Sequence, residues 1–352
     1  MLNIYPSILA VWAVLEYIEV GPGDVIITNH PKYGGSHLPD VTLLSGVFTE
    51  DSECVGYVIN RAHHAEIGGK TPGSMPPDAV CLAEEGVVIP PQYLVKKGEF
   101  QWDTIRRFFT ECAYPTRNFQ SNEADIMAAL SALRKGTDQL LKLTKVHGVE
   151  VIKKYMYLLK TSASARLQTT LLDQHGKTFE ATELLDDNHR IQVKISISPV
   201  QQIFDFTGTS SVHPNNLNAN ISILHSAILY VLRLWMNRRI PLNDGLMEQV
   251  KIILPENSFL HPQFSDDPLL CPAVVGGNTE VSQRLVDTLL KALGLAACSQ
   301  GTMNNFLFGN ERFGYYETIG GGAGAGKGFH GRSAVHQHMT NTRITDPEPL
   351  EL

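Results

Sequence analysis

No Cys-x-x-Cys pair occurs anywhere in the 352 residues. The five cysteines, Cys54, Cys81, Cys112, Cys271 and Cys298, stand far apart. Their spacing excludes a zinc-ribbon or thioredoxin-type motif. An odd, scattered set fits reduced thiols in a cytoplasmic protein. Basic clusters are missing too. The densest is a pair, Arg106 with Arg107 or Arg238 with Arg239, and the formal charge is −7. Both facts argue against a dedicated nucleic-acid binder. The longest apolar stretch, ISILHSAILYVLRLWM at 221–236, is interrupted by His225 and Arg233. It reads as a buried helix, so no membrane partner is expected. The chain does not open on a basic segment, an apolar core and a small-residue cleavage site, so no signal peptide is read. Repeats and low-complexity linkers are also lacking. What is there is ordinary globular composition, 43% hydrophobic and 18% charged, in a chain long enough for a large core or two sub-cores.

Three kinds of segment follow one another. Residues 1–100 are strand-rich: VIIT (25–28), VTLLSGVF (41–48) and CVGYVINRAH (54–63) are β-branched runs between turn residues. Residues 101–185 are read as helical, because apolar residues recur at three- and four-residue spacing. Residues 186–352 mix both. RIQVKISIS and QQIFDFTG read as strands, 221–236 and 280–297 as helices, and the tail as strands joined by glycine-rich loops. Strand blocks set apart from a helical block predict an α+β fold with mixed sheets. The whole is read as one domain, 1–352, truncated at both ends. The first helix carries Ile8, Leu9, Val11, Trp12, Leu15 and Ile18, a wide apolar face. That face and the TDPEPLEL end are expected to border exposed apolar surface.

The chemistry-bearing residues crowd into NHPKYGGSHLPD (29–40) and NRAHHAEIGG (60–69). His37 and Asp40 sit three apart on a loop between strands. His63 and His64 end the third strand, where successive side chains point to opposite faces, so one of the two shares a site with His37. Imidazole with carboxylate suits a divalent ion such as zinc, manganese or iron. A solvated loop with satisfied histidines suits the same residues equally. GGGAGAGKG (320–328) partly fits a phosphate loop. Gly328 stands where a hydroxyl must hold magnesium, however, and no helix former follows, so no nucleotide site is expected. His336 and His338, two apart, would share a strand face and line a substrate site or a second metal site, or merely alternate on an exposed strand. Asp205 in FDFTGTS is read as structural, with the flanking phenylalanines turned inward. Asn278 in GGNTE either binds a substrate amide or makes an Asx turn. Cys298 and Ser299 have no base beside them in sequence.

NHPKYGGSHLPDV, NRAHHAEIGGKTPGSMPP and HMTNTRITDPE resemble the hydantoinase B/5-oxoprolinase family. The resemblance runs over nearly the whole chain. AVVGGNTEVSQRLVD, CSQGTMNN and the glycine-rich tail look most like the C-terminal half of 5-oxoprolinase. It implies a hydantoinase-B-type fold and a cytoplasmic hydrolase of glutathione metabolism. That enzyme opens a small cyclic amide at the expense of ATP, converting 5-oxo-L-proline to L-glutamate. A hydantoinase-A-type partner would bind ATP-Mg and phosphorylate the ring oxygen. The B-type part would complete hydrolysis with water activated by a divalent metal, zinc, manganese or iron. The resemblance carries the metal onto His37, Asp40 and one of His63 and His64, with Asn278, His336 and His338 toward substrate. An oligomer is implied, and the isolated chain is expected to lack activity. Within the same family, the B-type component of an N-methylhydantoinase or an acetone-carboxylase-type component is the nearest alternative. A non-catalytic scaffold binding the A-type partner is the alternative of another class. The chain departs from the family pattern at His30, where the usual motif reads Asn-Asp-Pro, and at Glu66, where Asp is usual.

Overall fold

The computed structural model describes residues 4–237, 240–303, 305–309 and 314–338. A first helix, α1 (Ile4–Tyr17), leads into an antiparallel sheet. That sheet contains β1 (Val25–Thr28), β2 (Asp40–Phe48) and β3 (Cys54–His63). After the short helix α2 (Leu82–Glu85) come β4 (Gln92–Lys96) and β5 (Glu99–Phe100), giving the order β3-β2-β1-β4-β5. β1 is buried along its whole length, so its alternate side chains must find cover on both sides. Ile26 and Leu44 pack with Val14 of α1 on one face. Val25, Ile27, Val41 and Leu43 pack on the other, against residues of later helices.

Those helices are α3 (Trp102–Thr110), α4 (Phe119–His147) and α5 (Val149–Leu171). α4 starts because the Asn118 side chain accepts the Ser121 amide. It buries Ile126, Ala129, Leu130 and Leu133, a stripe at helical spacing that lies on β2 and β3. Each fully buried aliphatic side chain contributes about 1.5–3 kcal/mol.

A second sheet follows: β6 (Thr178–Leu184), β7 (Arg190–Ile197) and β8 (Gln202–Asp205) run antiparallel. Helix α6 (Ile221–Met236) crosses over to β9 (Val250–Ile253), which lies parallel to β8. A π-helical turn, Gly277–Val281, then runs into α7 (Ser282–Leu293). β7 alternates cleanly; Ile191, Val193, Ile195 and Ile197 face α5, α6 and α7 in the largest core. α6 sits between α7 and α1, and Asn220 at its start reaches the loop at Gly35 and Ser36. The hairpin β10 (Asn305–Gly309) and β11 (Gly314–Thr318) completes the described elements. Two open sheets with a helical block make the fold α+β, as the sequence predicts. Among the described residues no helix is long and apolar enough to cross a membrane.

The helix expected at 280–297 begins two residues later as α7, ends at Leu293, and is entered through the π turn. The strand expected through His336 and His338 is not formed. Ala334 and His338 take left-handed φ values of 54° and 55°, which no extended strand accommodates. The glycine run 320–328 folds back on its neighbours through bridges between Ala323 and Arg332 and between Gly326 and Phe329. The first helix is better covered than its sequence suggests. Ala10 and Val14 are buried, Leu9, Val11, Leu15 and Ile18 are half-buried, and Trp12 is 64% exposed. The Ile8 side chain and the TDPEPLEL end lie outside the described residues.

Candidate functional site

His37 lies between the 3-10 turn Pro31–Tyr33 and β2, and Asp40 is the first residue of β2. In the β2–β3 ladder Asp40 pairs with His63, the last residue of β3. Register alone thus brings three chain positions to one edge of the sheet. His37 Nδ1 is 3.4 Å from Asp40 Oδ2, and the His37 and His63 ring centroids are 5.1 Å apart. The Ser36 hydroxyl donates to Asp40 Oδ2 at 2.5 Å. Ser36 Oγ is also 3.1 Å from His37 Nδ1. A hydroxyl has one proton, so with that proton on Asp40 it accepts from His37 Nδ1–H. With a proton on Nδ1, Nε2 is the ring atom left to face a cation.

Asp40 is buried, and its Oδ1 has no hydrogen-bond partner. Burial alone would raise its pKa. His37, Arg61 and the Ser36 hydroxyl outweigh burial and hold the carboxyl well below the usual carboxylate range. A buried, ionised carboxylate with one empty oxygen calls for a cation. His63 is exposed at the rim, yet crowding around its ring, with His37 beside it, pushes it down to about 4. It is neutral near pH 7, as a ligand must be. Two imidazoles and one carboxylate are donor types a divalent ion takes, although among the described residues only Asp187, His189 and His213 bring three such ligand atoms within 4.8 Å of one another.

The neighbouring candidates are placed elsewhere. His64 is buried and donates from Nδ1 to Asn122 Oδ1 at 2.6 Å, tying β3 to α4. The Glu66 carboxylate is fully used: Oε1 accepts from Gly68 N and Arg117, Oε2 from Thr116 Oγ1 and Arg117 N. His30 accepts the Lys32 amide on Nδ1 and packs on Tyr33 and Phe264, and burial lowers its pKa to about 4. Asn278 is buried on the π turn with Oδ1 unpartnered. Both ring nitrogens of His336 are buried and unpartnered. His338 Nδ1 is 3.0 Å from the Tyr230 hydroxyl, and its Nε2 is 3.7 Å from Asp287 Oδ1. The Ser299 hydroxyl donates to Asp287 Oδ2 at 2.9 Å, a carboxylate 12 residues away that sequence spacing did not reveal.

Sequence reading missed a second imidazole–carboxylate group. Asp187, His189 and His213 bring their ligand atoms within 4.8 Å of one another. Both rings point at Asp187 Oδ2, His189 Nδ1 at 2.9 Å and His213 Nε2 at 2.6 Å. His213 Nδ1, however, accepts the Asn215 amide at 3.0 Å, so its proton is on Nε2. That tautomer suits a hydrogen bond to Asp187. A metal would require the ring to give up the Asn215 contact.

A match to the Hydantoinase B/oxoprolinase family spans residues 6–352. The 5-oxoprolinase of Dictyostelium discoideum is 41% identical over 94% of this chain, and 5-oxoprolinase 1 of Arabidopsis thaliana is 40% identical over 97%. The chain spans only 26% and 28% of those two proteins. Among solved structures, the ATP-dependent caprolactamase of Pseudomonas jessenii superposes with a TM-score of 0.77 at 23% identity. That superposition covers 95% of this chain and 59% of the other. A nucleotide-free acetone carboxylase gives 0.75 at 16% identity, covering 99% and 49%. The two likenesses establish a shared fold, and the extent of the family match makes this chain a member of the hydantoinase B/oxoprolinase family.

Proposed function

We propose that this chain is the hydantoinase-B-type part of an ATP-dependent cyclic amide hydrolase, most closely a 5-oxoprolinase. The reaction is 5-oxo-L-proline, ATP and water to L-glutamate, ADP and phosphate. The observation that carries the reading is the Asp40 carboxylate, buried with an empty oxygen and flanked by His37 and His63. Relatives named 5-oxoprolinase at about 40% identity support the substrate class. His37, Asp40 and His63 hold a divalent ion, while His64 braces β3 from behind through Asn122. When bound, such an ion makes water a usable nucleophile near neutral pH. A lactam is a poor electrophile. Phosphorylation of its oxygen by an ATP-binding A-type part turns that oxygen into a leaving group. Asn278 Oδ1 and the His336 ring, buried without partners, offer hydrogen bonds to the polar atoms of the ring, and His338, beside Tyr230, is a further candidate. ATP-Mg is held by the A-type part and not by 321–327, which turns back on itself instead of opening a helix.

The test is metal analysis of the chain co-purified with an A-type partner, followed by turnover of 5-oxoproline with ATP. His37→Ala is expected to abolish both metal and turnover with little change in melting temperature. A variant that retains its metal, or a wild type with none, defeats the assignment.

A further inference from the structure

The segment that carries His37 belongs to no helix or strand, so its carbonyls lack ladder partners. Each of them is nevertheless held. Arg61 on β3 donates from Nη2 to Gly34 O at 2.8 Å and from Nε to Thr42 Oγ1 at 2.9 Å. Asn220 donates from Nδ2 to Gly35 O and, at 3.3 Å, to Ser36 O. The Asp40 amide donates to His37 O at 3.2 Å. Asn29, just after β1, donates from Nδ2 to Leu38 O at 2.9 Å. Five consecutive carbonyls are thus fixed, four of them by side chains from three separate parts of the chain.

Asn220 differs from the other two side chains in what its remaining polar atom does. Its Oδ1 accepts the amides of Ser222 and Ile223 at 3.0 and 3.2 Å and so caps α6. One buried amide therefore joins the first turn of α6 to the backbone on either side of Ser36. Ser36 in turn bonds Asp40 and meets His37 Nδ1. The roles divide by atom: Oδ1 serves the helix, Nδ2 serves the loop.

We propose that Asn220 is a positioning residue for the His37–Asp40 pair. It locks the loop to the start of α6, so that both side chains meet a divalent cation with their orientation already set. The proposal rests on the cation assignment above. Partners of ligands in such sites alter metal affinity by about 10- to 100-fold when removed. The bland reading, that Asn220 merely caps a helix, involves Oδ1 alone.

Two substitutions separate these roles in the full chain. Asn220→Ser keeps a capping oxygen but is too short to grip Gly35 O. Asn220→Asp keeps the cap and replaces the donor with an acceptor that faces two carbonyls. Zinc and manganese affinities are measured by chelator competition, beside thermal melts of the metal-free proteins, for wild type, both variants and His37→Ala. Expected is a loss of about 10- to 100-fold in affinity for both variants, which still melt cooperatively without metal, Asn220→Asp at the lower temperature because its acceptor faces two buried carbonyls. Wild-type affinity in either folded variant overturns the proposal while leaving the cation site standing, provided His37→Ala no longer binds. A wild type that binds no metal, or a His37→Ala variant that binds as well, overturns both.

Discussion

Glu85 is a carboxyl with almost no access to water, 1% exposed. Its Oε1 accepts the amides of Val274 and Val275, both at 2.8 Å, and its Oε2 has no partner. Burial pushes its pKa from 4.5 up to about 8, against the pull of those two amides. The native state therefore holds a proton that the unfolded chain loses near 4.5. Stability must fall as pH rises through that window, at up to about 1.4 kcal/mol per pH unit, and level off above about 8. Glu85→Gln keeps the accepting oxygen and removes the ionisation. Urea melts between pH 5 and 8 are expected to lose this slope in the variant, and an unchanged slope would place the titration elsewhere. The cluster of His37, Asp40 and the His63–His64 pair drew notice in the sequence because titratable residues next to glycine pairs stand out from an apolar core, but which of His63 and His64 lies beside His37 was not legible. Nor were Asn220 and Arg61. Their roles depend on which carbonyl comes within reach, 185 residues away for Asn220 and 27 for Arg61.

At the scale of elements, α1 reaches the site loop through one close approach. Gly34 has φ 88°, and a Cβ there would lie 2.5 Å from the Ala10 backbone nitrogen and Cα. A side chain at that position meets both a left-handed backbone and another helix's main chain. Gly34→Ala is expected to destabilise the fold by about 1–3 kcal/mol. Trimming Ala10 to glycine should not rescue it, because the obstacle is backbone. Chemical denaturation checks both variants; a Gly34→Ala midpoint equal to wild type would mean that α1 yields freely. Sequence pattern located β1, β2, β3, β7 and α6 with nearly the observed bounds; all but β3 bury one regular face or both, and β3 was marked by its β-branched run between turn residues. It failed at β6. TFEATEL alternates, but its inward residues, Phe179, Ala181 and Glu183, are only half-buried and Leu184 is on its exposed face, so little marks it apart from the helix before it. It also failed at 336–338, where left-handed residues in a glycine-rich loop replace a strand.

At the scale of the whole molecule, α1 leaves Trp12 and Tyr17 exposed, as its sequence suggests. Most of the α1 face is covered by β1, β2 and α6. Among the described residues a further uncovered set lies along α4 and α5: Val146 is 75% exposed, Tyr155 62%, and Leu143, Val151 and Leu159 are exposed too. A set of that kind marks either an interface or an aggregation liability, and the two differ in their consequences. The chain spans about a quarter of the 5-oxoprolinases it resembles, and the proposal assigns ATP to an A-type part outside it. The expectation is that the chain alone does not turn over 5-oxoproline with ATP. Mixing it with an A-type partner should give a complex of defined mass and restore ring opening. An interface along α4 and α5 predicts that Tyr155→Ser with Leu159→Ser weakens that complex and leaves metal binding at His37 intact. A liability predicts polydisperse material before mixing and no activity after it, which light scattering and a glutamate assay distinguish. A monodisperse monomer that hydrolyses 5-oxoproline unaided would defeat both, because the catalytic parts would then all lie within these 352 residues.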